Sequence, residues 1–523
     1  MLKINIVIVF LLISSFADAA IRPADGLWAT SDDPAIGSGL MLTTQNDTTL
    51  ISVFTYDQDG KNAWYIASGQ VDDEGVLEAE LRQTENGTNM VEDNPQSASL
   101  TEATRTLRID FSGTQVGSFS IDGSEMKSVK ANYYGKQVFY GFPALTGQWL
   151  VGNAESGESY ILDLSMVTGP NSHNDSYVSS HPSTDGWLMK CFLVTIGFVE
   201  PKCQLSADSE FTDEDLYVEV RNIGSQRMVL NSPENGHKFH AFRFDNNRRL
   251  LPNDGFWRPY DDPAVGSGLV LHTQGDITVA LLYSYDDEGT PTWQIASGVF
   301  DEDGFFSADL LTPSGGTAME NETPETASFS EQVQTLEIQM QGLELATFSV
   351  DGSTPKAIQN TNFGAELFNT EQFKVMDEPF KFPHQVGSWV LVDQDLTISS
   401  VWQLERENPN CCQSPPDPNY FDSVGYTNRS FDNNSTVDPN FSVHFNCVKT
   451  QIPYSNYIYP ITPYCYGNNY RDEENKLVKI YFEDIGYDQF RYYIGPRDSM
   501  DFYGGFDEID RSSNFYQLFR LND

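Results

Sequence analysis

Basic residues are scarce in this chain: 31 Lys and Arg stand against 75 Asp and Glu, a formal net charge of -44. Such a balance repels the phosphate backbone and excludes nucleic acid as a natural partner, and it disfavours anionic lipid for the same reason. Solubility outside the cell is the plain reading of so acidic a protein; net charge says nothing about fold. Histidine is rare too, at seven in 523 residues. No H-E-x-x-H pair, G-x-S-x-G elbow, P-loop or G-x-G-x-x-G opening is present, so the common metalloprotease, hydrolase and nucleotide signatures are missing. The six cysteines include no C-x-x-C spacing, which argues against a zinc framework. After the first residues no apolar run approaches the ~20 residues of a membrane-spanning helix.

The N-terminus supplies what the rest lacks. Lys3 precedes a short apolar run, Ile4 to Ile13, and Ala17-Asp18-Ala19 is an A-x-A site before Ala20. Residues 1–19 therefore read as a signal peptide, and the mature protein as secreted or periplasmic. An even number of cysteines in an oxidising setting predicts disulfides. Cys191 and Cys203 flank one short apolar segment, a spacing that suits a bridge between adjacent strands. Cys411, Cys412, Cys447 and Cys465 predict two more bridges, with the pairing open.

One stretch occurs twice. Asp25 to Gly69 opens DGLWATSDDPAIGSGLMLTTQ and closes with YDQDG and WYIASG; Asp254 to Gly298 repeats it as DGFWRPYDDPAVGSGLVLHTQ, YDDEG and WQIASG. A self-match at constant offset is the mark of an internal repeat. Ile121-Asp122-Gly123 and Val350-Asp351-Gly352 extend it. Between these landmarks lie short alternating runs such as Leu107, Ile109 and Phe111, broken by Asp-Gly and Glu-Gly turns at ~8–12 residue spacing. The pattern predicts an all-β chain of antiparallel meanders, closed as barrels or packed as sandwiches.

A second match follows each copy, LYVEVRNIG (Leu216 to Gly224) with LVKIYFEDIG (Leu477 to Gly486), and AFRF with LFRL. The chain thus reads as an internally duplicated A-B-A-B arrangement: A1 at 21–145, B1 at 146–249, A2 at 250–385 and B2 at 386–523. B2 carries a Tyr- and Asn-rich segment at about 405–466 with no match in B1. Its weak apolar periodicity predicts a large loop pinned by disulfides.

Few residues suggest chemistry. Asp32 and Asp33 recur as Asp261 and Asp262 in an intact DDPA piece, which makes them the candidate carboxylate pair of a hydrolase; a polar loop shaped by proline is the structural alternative. Acidic turns gather Asp57 with Asp59 and Asp301 with Asp303. Oxygen ligands beside glycine suit calcium, and equally make plain hairpin turns. No other cofactor is indicated. Trp28/Trp257, Trp64/Trp293 and Trp149/Trp389 repeat within apolar strands, a pattern of core packing rather than of a sugar platform. Tyr420, Tyr426, Tyr454, Tyr457 and Tyr459 lie in the segment unique to B2, where rigid aromatics among small polar residues make a candidate ligand-binding surface. His237 and His240 are the only close histidine pair and read as a surface coincidence.

The order G-x-W, S-G, Y-D-x-x-G, W-x-x-x-S-G and V/I-D-G is carried by Gly26/Trp28, Ser38/Gly39, Tyr56/Asp57/Gly60, Trp64/Ser68/Gly69 and Asp122/Gly123, and again in the second copy. This order resembles a repeat of uncharacterised secreted bacterial proteins and covers the two A units. The resemblance implies a bacterial envelope or secreted setting and carries over no catalytic residue. The function expected is that of an exported, non-enzymatic β-repeat protein binding a glycan or protein surface component. An extracellular hydrolase with a carboxylate site between units and a structural envelope protein are the alternatives.

Overall fold

The computed structural model describes the strands and most of their connections between residues 21 and 521. Residues 1–20, 31–36, 168–173, 193–201, 208–216, 222–226, 232–236, 245–250, 261–265, 364–386, 394–398, 407–425, 431–443, 450–462, 472–476, 484–488 and 497–514 fall outside that description, with a few shorter pieces. Between 403 and 516 only the backbone is described. Among the described residues every regular element is a strand, and no helix is long and apolar enough to cross a membrane.

The first A unit contains β1 (Gly26–Thr30), β2 (Gly39–Gln45), β3 (Thr48–Tyr56), β4 (Asn62–Gly69), β5 (Val76–Leu81), β6 (Thr84–Glu85), β7 (Ser99–Leu100), β8 (Arg105–Phe111), β9 (Val116–Ile121) and β10 (Lys127–Ala131). Its eight-stranded sheet runs β4-β3-β2-β1-β10-β9-β8-β5. Chain neighbours pair except where β10 returns to β1 and where β5 meets β8 past β6 and β7, and a single bridge between Ile66 and Arg82 joins the two ends. The result is an up-and-down barrel closed by one bridge, which leaves little free edge. Alternation decides what lies inside: in β8, Leu107, Ile109 and Phe111 are buried while Thr106, Arg108 and Asp110 face outward. Trp28, Leu40, Leu42, Ile51, Val53 and Phe119 fill the interior.

The second A unit repeats this topology from Gly255–Pro259 to Lys356–Asn360, with the equivalent bridge between Ile295 and Leu311. The first B unit is a closed barrel of eight strands, from Gly147–Gly152 to Lys238–Phe244. A disulfide joins Cys191 to Cys203 across two of its strands, as their spacing predicts. The second B unit is a nine-stranded sheet closed by pairing of Pro463–Asn468 with Leu477–Glu483. The fold is all-β, with antiparallel meander barrels in a duplicated arrangement.

One sequence expectation is corrected here. The segment 405–466 is not simply a loop, because Tyr426–Ser430, His444–Lys449 and Pro463–Asn468 are consecutive strands of the second B sheet. They hold the place of Asn174–Ser179, Leu188–Phe192 and Lys202–Ser206 in the first B barrel. YTNRS and PYCYGN offer almost no alternation of apolar and polar residues, and ladder hydrogen bonds need none.

The like units pair. Leu150, Ile161, Phe242 and Phe244 of the first B barrel form one apolar cluster with Val390, Val392, Val401 and Leu521 of the second. Met41, Phe54, Tyr56 and Trp64 of the first A barrel do the same with Val270, Val279, Leu281, Tyr283, Tyr285 and Trp293 of the second.

Candidate functional site

Among the described residues, buried polar and aromatic groups gather at this A1–A2 junction. β2 and β3, with their counterparts Gly268–Gln274 and Ile277–Tyr285, are buried along almost their whole length. One face of each pair fills its own barrel and the other meets the neighbouring barrel. That is why their openings, GLML and GLVL, read as continuous apolar runs instead of alternating ones.

The contacts are reciprocal. The Trp64 indole N–H donates to the Ser284 carbonyl (3.4 Å), and Trp293 donates to the Thr55 carbonyl (3.0 Å). Trp293 meets the Phe54 ring edge-on at 5.0 Å, and Trp64 lies 5.3 Å from Tyr283. Each such aromatic pair adds ~0.5–1.5 kcal/mol beyond its buried area.

Each barrel also reaches into the other. The connection from β5 to β8 projects from the first barrel and places Met90 in the core of the second, beside Trp257 and Phe306. The equivalent connection of the second barrel places Met319 in the core of the first. Their backbone N–H groups donate to Ser284 Oγ (3.3 Å) and Thr55 Oγ1 (3.0 Å). Arg105 pairs with Glu320 at 2.5 Å, and Lys127 donates to the Met319 carbonyl at 3.2 Å.

Symmetry fails at two places that matter. Tyr285 Oη bonds Thr84 Oγ1 at 2.6 Å. At the equivalent of Thr84 the second arm carries Pro313, which has no hydroxyl, and Tyr56 Oη is buried without a partner among the described residues. Burial pushes the Tyr56 phenol up to about 12.

The second break is His272, where the first barrel has Thr43. Its Nδ1 lies 2.8 Å from Asp254 Oδ2, and Tyr134 of the first unit donates its hydroxyl to the His272 carbonyl at 2.8 Å. Burial works against the charged ring, but the Asp254 charge and hydrogen bond, with Asp25 adding to them, raise its pKa overall. Gly26 lies over this ring: a Cβ there would come within 2.4 Å of His272 Nε2, and φ of +112° is closed to other residues.

The residues singled out by sequence are placed differently. Asp57 Oδ1 accepts the N–H groups of Asp59 (2.8 Å) and Lys61 (2.9 Å); Asp301 Oδ1 accepts those of Asp303 (3.0 Å) and Phe305 (2.8 Å). Asp72 and Asp286 make the same turn. The first Asp of each thus closes its own hairpin, with Gly60, Gly75, Gly289 and Gly304 at positive φ. No three His, Cys, Asp or Glu side chains are grouped for a metal ion among the described residues.

The six paired tryptophans are fully buried, as core packing predicts. His240 is a correction: it is buried, with Nδ1 3.3 Å from the Arg227 guanidinium. Burial first, then the Arg227 charge, hold its pKa down near 3, so it is a neutral acceptor. Asp32, Asp33, Asp261, Asp262, Tyr420, Tyr454, Tyr457 and Tyr459 lie outside the described residues. Tyr426 opens a strand, opposite Arg406 and Phe445 in the ladder.

Sequence reasoning passed over Met90, Met319 and His272. A signal for the first two exists: NGTNM and GGTAM set one methionine at matching places in two polar stretches. No protein-family model matches the chain, and no curated protein matches it.

Proposed function

We propose that this is an exported, non-enzymatic β-repeat protein that binds a glycan or protein surface component through the outer ends of its barrels and arms. The observation that supports this reading most is the duplicated, interlocked A1–A2 pair, whose barrel interiors are occupied by Trp28, Trp257 and the exchanged methionines. A ligand would then be met on the outside. The two arms present apolar side chains at matching positions, Leu100 at 59% and Phe329 at 56% exposure. A site presented twice raises avidity without new contacts.

A glycan array and a panel of envelope proteins, probed with the mature chain, test the reading, with and without chelator. Binding that weakens in Leu100→Ser or Phe329→Ser alone and disappears in the double variant supports it. Binding untouched in the double variant, or no binding to any member of either panel, removes it. A thermal-shift screen adds sensitivity, since a ligand at about 100 times its Kd stabilises by ~2.7 kcal/mol. A shift with calcium that chelator abolishes would make Asp59 and Asp303 the next residues to change. Export is checked separately by N-terminal sequencing, with Ala20 as the expected first residue.

A further inference from the structure

We propose that Cys447 and Cys465 are joined by a disulfide that repeats, in the second B barrel, the Cys191–Cys203 bridge of the first. The inference rests on backbone register in two separate sheets. In the first B barrel, Cys191 of Leu188–Phe192 lies directly opposite Cys203 of Lys202–Ser206, and Cys203 lies opposite Val220 of the next strand. In the second, Cys447 of His444–Lys449 lies directly opposite Cys465 of Pro463–Asn468, and Cys465 lies opposite Phe482.

The match extends into the sequence. Aligning LYVEVRNIG with LVKIYFEDIG on their shared Ile-Gly ending sets Val220 on Phe482, and the same offset carries Cys203 onto Cys465. The cysteines therefore occupy equivalent places on equivalent strands, fourth and fifth in each meander. Opposed residues of an antiparallel pair have Cα atoms ~4.5–5.5 Å apart, within the ~4.4–6.8 Å that a disulfide spans. The bridge of the first barrel shows that this register point is compatible with one. Cys411 and Cys412 lie outside the described residues.

Formation is a two-electron oxidation. The two thiols give two protons and two electrons to the disulfide of a thiol-oxidising enzyme in the export compartment, which leaves as a dithiol while the S–S bond forms. In this respect the inference rests on the export reading.

Trypsin separates every cysteine that matters. Cys447 falls in Ser430–Lys449, Cys465 in Thr450–Arg471, and Cys411 with Cys412 in Glu407–Arg429; Cys191–Lys202 and Cys203–Arg221 carry the first bridge. Non-reducing peptide mapping of the full chain, both as exported and after oxidation in glutathione buffer, is the test. The expected result is one cross-linked species joining Ser430–Lys449 to Thr450–Arg471, released by reduction. Cross-linking of either peptide to Glu407–Arg429, or free Cys447 and Cys465 thiols beside an intact Cys191–Cys203 bridge, overturns the proposal. If both bridges are absent from the exported chain but form in buffer, the export reading fails while the pairing stands. In Cys447→Ser, Cys465 should become fully alkylatable while Cys191 and Cys203 remain protected.

Discussion

The two A barrels share a topology, a bridge, a tryptophan pair and an exchanged methionine, yet they differ where they meet. Thr84 answers to Pro313, Thr43 to His272 and Arg105 to Gln334. The shared residues are those that any two-fold junction needs on both sides. The differing ones serve only one side, because a fused pair need not obey the symmetry that an isologous dimer of identical chains imposes. One copy could thus lose a hydrogen bond at Tyr56 while the other gained an ion pair at His272.

Changes to the shared residues should have the largest effects. Trp293→Ala removes a buried indole, its hydrogen bond to Thr55 and its contact with Phe54, and should cost about 3–5 kcal/mol in chemical denaturation. Trp64→Ala should cost a similar amount by the reciprocal loss. Equal values would support the symmetry; a wide gap would break it.

The hydroxyl mismatch comes next. Thr84→Val should leave Tyr285 Oη buried and unpaired, costing about 1–3 kcal/mol. Pro313→Thr should return a partner to Tyr56 Oη and stabilise by about 0.5–1.5 kcal/mol. If Pro313→Thr changes nothing in the wild type, or stabilises a Tyr56→Phe background equally, the equivalence of Thr84 and Pro313 is wrong.

His272 adds a pH dependence to one side only. Its folded pKa is raised above the ordinary value of ~6.5. The stability it contributes is therefore fully present below the unfolded value and is lost as pH rises through the folded one. His272→Thr, which installs the first-barrel residue, should reduce stability more at pH 5 than at pH 9. An equal loss at both pH values would show that the ring acts through packing alone. Arg105→Gln, which copies Gln334, should have the smallest effect, about 0.2–1 kcal/mol for each partly exposed pair it breaks.

How much of this was legible follows from where each signal resides. Strand alternation, the D-x-x-G turns and the buried tryptophans are local, and the chain displays them in any order of folding. Closure into barrels could be expected from the need to remove sheet edges. The arms are different: NGTNM and GGTAM are polar stretches whose methionines are buried only because the other barrel is there. The strands within 405–466 were hidden by composition, since Tyr, Asn and Gly gave no period to read. His272 looked like one isolated histidine, because Asp254 lies one strand earlier, just before Gly255–Pro259, and Tyr134 comes from the other unit.

The central claim is that the two A barrels form a single interlocked unit through exchanged arms. Native-state hydrogen exchange on Met319→Ala tests it most directly, because Met319 belongs to the second unit's chain and to the first unit's core. The substitution should cost about 2–5 kcal/mol. The account predicts that amides throughout 26–131 and 255–360 lose protection together and by the same factor. Lost protection confined to 26–131, with 255–360 unchanged, would show two barrels that merely touch.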